Sequence, residues 1–124
     1  MKKKGYYEYD QPIYPHLLCV GVGLQFEDAK KAFLNNDGAD IEKYDFLNGD
    51  GFTYYGLHIR ETGRKCVLVL FSSSKDMRMN VICHEASHAC DAIEGNVEME
   101  HGGDPSAYLI GWIASCINKA RLGI

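Results

Sequence analysis

The 124-residue chain has no apolar run approaching the ~20 residues that a membrane-spanning helix requires. Its N-terminal lysines, Lys2 to Lys4, are followed by Gly5-Tyr6-Tyr7-Glu8-Tyr9-Asp10, which cannot serve as the apolar centre of a secretion signal. Both absences predict a cytoplasmic protein. Positive charge is scarce as well. Thirteen Lys and Arg against 17 Asp and Glu leave a net charge of −4, so no basic field is available for nucleic acid or an anionic membrane. The five cysteines (Cys19, Cys66, Cys83, Cys90, Cys116) include no CxxC pair, and each lies in an apolar run. They are read as reduced core residues rather than disulfides or zinc ligands. Gly21-Val22-Gly23 lacks the third glycine, lysine and hydroxyl residue of a phosphate loop. Asp45, Asn48 and Asp50 lack the spacing and terminal glutamate of a calcium loop.

What is present is an ordinary globular composition, 46% hydrophobic and 24% charged, long enough for one domain spanning 1–124. Residues 1–15, rich in tyrosine and holding Pro12 and Pro15, read as an extended lead-in. Leu17 to Val22 reads as a buried strand. Phe26 to Leu34 has helical spacing of its apolar residues, and Asn35-Asn36-Asp37-Gly38 ends it with residues that tolerate left-handed backbone. A polar loop from Ala39 to Gly51 leads to two strand signals, 52–61 and 65–72, joined by Thr62-Gly63-Arg64 as a hairpin. The second, Cys66 to Phe71, is apolar throughout, which predicts burial on both faces. These elements and two helices after them predict an α+β domain with a small, mostly antiparallel sheet.

The first of those helices, read from Met77 to Glu94 and closed by Gly95-Asn96, contains His84-Glu85-Ala86-Ser87-His88. Positions i and i+4 lie one above the other on a helix, so both imidazoles point the same way. Two neutral imidazole nitrogens so placed can bind Zn²⁺ at roughly 2.0–2.1 Å each. Glu85 lies about 100° further round, where its carboxylate can take a proton from a metal-activated water. Ile82, Ala86, Ala89 and Ile93 form the opposite, core-facing side, and Asp91 shares the histidine face. By the same geometry Cys83 and Cys90 fall away from that face.

A catalytic zinc needs three protein ligands and one open position, and the sequence does not announce the third. The HExxHxxGxxH pattern fails, with Asp91 in place of the glycine and Glu94 in place of the last histidine, too far round the helix from His88 to reach the same ion without a sharp backbone turn. Later candidates are Glu98, Glu100, His101 and Asp104. Asp104-Pro105 opens the second helix, to about Arg121, and suits an N-cap followed by proline at the first helical position. Asp91 reads either as a hydrogen-bond acceptor for a ligand imidazole or as a solvated helix residue. Tyr108, one turn after Asp104, reads either as a donor to a developing oxyanion or as a core tyrosine. His16 and His58 read as structural residues.

His84 to Asp91, followed by Asp104-Pro105-Ser106-Ala107-Tyr108-Leu109-Ile110-Gly111-Trp112, resembles small zincin-like metallopeptidases of phages and bacterial mobile elements, over residues 65–117. Asp104 stands where that family carries a glutamate three positions before an Ala-Tyr-Leu helix. The resemblance implies a zincin-like fold with a gluzincin-type site: one Zn²⁺ on His84, His88 and Asp104, Glu85 as base, and a peptide or protein substrate. Two rivals stand beside that expectation, a non-catalytic metal-stabilised module and an interaction domain without metal. The apolar face of the Trp112 helix is sufficient for a dimer, and oligomeric state is otherwise unread.

Overall fold

The computed structural model describes residues 3–11, 13–43, 49–97 and 102–124. Strand β1 (Tyr6–Asp10) pairs antiparallel with β2 (Leu17–Val22), so part of the expected lead-in is an edge strand. Helix α1 (Phe26–Ala32) follows, then the short strand β3 (Phe33–Asn35). The hairpin is β4 (Gly51–Ile59) and β5 (Lys65–Phe71). After a single 3₁₀ turn come α2 (Met79–Asn96) and α3 (Gly103–Arg121). The sheet order is β1-β2-β5-β4-β3, antiparallel throughout except for the β2–β5 pair. The fold class is therefore α+β, as expected. Among the described residues, no helix is long and apolar enough to cross a membrane.

Strand β5 is the centre of the sheet and is buried on both faces from Cys66 to Phe71. Its side chains alternate between two cores. Val67, Val69 and Phe71, with Leu18 and Val20 of β2, pack against α2 and α3. Cys66, Leu68 and Leu70 face Ala29 of α1, Phe33 and Leu57 on the other side. Four of the cysteines are buried as expected, but Cys83 is exposed on α2, because the helix turns that position away from the sheet.

Three boundaries differ from the sequence reading, each for a tertiary reason. Phe33 and Leu34 leave the helical pattern to become β3, where Phe33 is fully buried, pairs with Ile59 and meets Tyr6 edge-on. Either conformation buries Phe33, and pairing with β4 decides. Helix α2 runs through Gly95 rather than stopping there, and Val97 is its C-cap. Helix α3 begins at Gly103 with Gly102 as N-cap, so Asp104 and Pro105 lie within its first turn instead of forming its cap.

The β4–β5 register slips by one residue between Tyr54↔Leu68 and Leu57↔Cys66, leaving Tyr55-Gly56 as a bulge. Gly56 has φ +63°, and a Cβ there would sit 2.6 Å from Asn36 Nδ2. Gly56→Ala is expected to lower stability by about 1–3 kcal/mol, measured by urea unfolding, since left-handed backbone and a close contact combine.

His16, just before β2, is 5% exposed and neither ring nitrogen completes a hydrogen bond, although the Cys66 backbone approaches the ring. Burial, with Lys65 adding, pushes its pKa down to about 4. An unfolded histidine takes its proton near pH 6.5, so between roughly 6.5 and 4 the unfolded chain binds more protons. Stability should therefore fall as pH drops through that window, by up to about 3 kcal/mol from this group. Urea unfolding of His16→Gln across pH 4 to 7 should lack that part of the slope; an unchanged profile would exclude His16 as its source.

Candidate functional site

Helix α2 lies on the sheet through Ile82, Ala86, Ala89 and Ile93, all buried, as its sequence predicts. The two alanines are small enough to bring the helix close to the strands. The helix passes close to the start of β4. A Cβ on Gly51 would lie 3.0 Å from Val81 Cγ1 and 3.1 Å from Glu85 Cγ. A larger residue there would need Val81 or Glu85 to give way by a few tenths of an ångström. An exposed ion pair, Arg78 to Asp50 at 2.7 Å, joins the two element starts.

The motif side chains converge on a hollow of about 470 Å³ lined by Gly51 to Tyr55, His84, Glu85 and His88. His84 Nε2 and His88 Nε2 are 3.2 Å apart, against about 3.3 Å for two imidazole nitrogens sharing a tetrahedral zinc. The same distance is that of a hydrogen bond between the two rings. Glu85 is 5% exposed, far more deeply set than the histidines. The Thr53 hydroxyl donates to its Oε1 at 2.8 Å, while Oε2 lies 4.0 Å from His84 Nε2. One carboxylate oxygen is thus tethered to β4 and the other faces the histidines.

His88 Nδ1 is 3.0 Å from the Tyr55 hydroxyl, with the two rings edge to face. Burial, with the Asp91 and Glu85 carboxylates adding, raises the Tyr55 pKa above that of an ordinary phenol, so the hydroxyl keeps its proton at neutral pH. Thr53 and Tyr55 were missed by the sequence reading. Their one signal is the alternation Gly51, Thr53, Tyr55 along β4, which says that they share a face but not which helix that face meets.

The other candidates lie elsewhere. Asp104 is exposed in the first turn of α3, and Tyr108 is 79% exposed on its outer face; neither lines the hollow. Tyr108 is therefore not a core residue, because α3 turns Leu109, Ile113 and Ile117 inward instead. Glu98, Glu100 and His101 lie outside the described residues. Among the described residues, no three His, Cys, Asp or Glu side chains converge closely enough to hold a metal ion. Glu94 is buried between helices, its Oε1 accepting from Cys90 Sγ at 2.7 Å and its Oε2 from Ser106 Oγ at 2.7 Å. Burial and this carboxylate push the Cys90 thiol up to about 12. The backbone N–H of Gly102 donates in turn to Ser106 Oγ, so the cluster anchors the start of α3.

Comparison with protein-family models, with curated proteins and with solved structures gives no match.

Thr53→Val keeps the side-chain shape and leaves the buried Glu85 carboxylate short of a donor. It is expected to cost about 1–3 kcal/mol by urea unfolding at neutral pH, with Thr53→Ser recovering most of the loss. Equal stability of the valine variant and the parent would show that this hydrogen bond does not hold Glu85 in solution.

Proposed function

We propose that this chain is a zinc-dependent peptidase, with His84 and His88 as metal ligands and Glu85 as general base. The observation that carries the reading is the pair of facing Nε2 atoms beside a carboxylate with one tethered and one free oxygen. Zinc bound there would lower the pKa of a water and polarise the scissile carbonyl. Oε2 of Glu85 takes the proton of the attacking water and delivers it to the leaving amine nitrogen. Thr53 keeps Oε1 occupied, so the base meets the substrate from one direction. Asp104 is proposed as third ligand on the strength of the family resemblance, with Glu98, Glu100 and His101 as alternatives. Tyr108, exposed on α3, is the weaker candidate for an oxyanion donor.

A peptide or protein substrate is proposed on the family resemblance, and the course of β4 is compatible with it. The pairing of β4 with β3 covers Leu57 to Ile59, while Gly51 to Tyr55 line the hollow. An extended peptide lying along this stretch would carry a peptide bond across the histidine pair. The rival, a metal-stabilised module, would need four protein ligands for a structural zinc, two beyond His84 and His88.

Metal analysis of protein purified without a metal-affinity tag should give about one zinc per chain after zinc is offered, with loss of the zinc in His84→Ala. In a peptide-library assay, Glu85→Gln should keep the zinc and lose at least 10²-fold in turnover. Retained turnover in Glu85→Gln would sink the peptidase reading. Zinc without any turnover in the parent would leave the module.

A further inference from the structure

A ring nitrogen can bind a metal only through a lone pair, and the proton of a neutral imidazole must then sit on the other nitrogen. For His88 the nitrogen facing His84 is Nε2, and the nitrogen facing Tyr55 is Nδ1. We propose that the Tyr55 hydroxyl is the positioning group of the site: it accepts Nδ1–H of His88 and so fixes both the ring orientation and the tautomer that exposes the Nε2 lone pair.

The backbone is shaped for this contact. Side chains of a regular strand alternate, so without an irregularity Tyr55 and Leu57 would share one face. Leu57 and Ile59 belong to the core beneath α1, whereas Tyr55 reaches His88 on the α2 side. The Tyr55-Gly56 bulge supplies the extra residue, so Tyr55 keeps the α2-facing side of Thr53 while Leu57 and Ile59 turn to the core beneath α1. Its cost is a left-handed residue pressed against Asn36, a position only glycine fills without strain. Bulges are frequent beside functional clefts, and this one lets Tyr55 and Leu57 face opposite sides of the sheet. The T-shaped contact of the two rings restricts rotation of the imidazole further.

The affinity consequence rests on the metal reading above; the tautomer consequence does not. Tyr55→Phe removes the hydroxyl and keeps the ring. Nitrogen-15 shifts of the His88 ring, recorded on metal-free protein at about pH 8, should show the proton on Nδ1 in the parent and a shift toward Nε2–H in Tyr55→Phe. Identical ring shifts in the two proteins, or Nε2–H already in the parent, would overturn the proposal. Zinc titration against a competing chelator should show affinity reduced by about 10–100-fold in Tyr55→Phe, with the metal-free variant folded as judged by near-UV circular dichroism. Equal zinc affinity in variant and parent would overturn it too. A parent that takes up no zinc at all overturns the peptidase reading, and the ring shifts then decide on Tyr55 alone.

Discussion

The arrangement depends on how closely α2 seats on the sheet. Ala86 and Ala89 let the helix approach the strands, and Gly51 removes the one side chain that would stand between β4 and Glu85. A larger residue at Gly51 would press on Val81 and Glu85 and shift that carboxylate relative to the Thr53 hydroxyl. Protein interiors are packed too densely for such a shift to be absorbed locally. The same contact that closes the apolar core therefore sets the distances of the polar site.

Two glutamates on α2 illustrate how burial and chemistry divide. Glu85 and Glu94 are both buried, and each accepts a hydrogen bond from the hydroxyl of a neighbouring element, Thr53 of β4 or Ser106 of α3. Both hydroxyls meet the need of a buried carboxylate for donors. The difference lies in the second oxygen. In Glu94 it accepts from the Cys90 thiol, so the group ties α2 to α3 and has no route to a substrate. In Glu85 it faces the histidine pair across the hollow. Two similar residues nine positions apart on one helix thus serve as an anchor and as a candidate base.

Much of the framework was legible along the chain. The doubly buried strand Cys66 to Phe71 and the core face Ile82, Ala86, Ala89 and Ile93 follow from apolar pattern, because period 2 and period 3.6 are local geometry. The strand at Leu17 to Val22 and the hairpin into β5 follow in the same way. The first strand was not legible: Tyr6 to Asp10 is an edge element with one strand neighbour, and its pattern is too weak to distinguish pairing from plain extension. The start of α3 was misplaced because Asp104-Pro105 satisfies the usual signals of a helix start, while the Glu94–Ser106–Gly102 hydrogen bonds draw the turn back to Gly103.

The sequence by itself determined that His84 and His88 stand on one helical face with Glu85 beside them, because a four-residue spacing is a distance on any α-helix. Only the tertiary structure decided what surrounds them. Thr53 and Tyr55 lie 32 and 33 residues from the groups they touch, and the choice of facing strand depends on sheet order, register and a bulge. Those are properties of packing between elements, for which no local period in the chain is a signal.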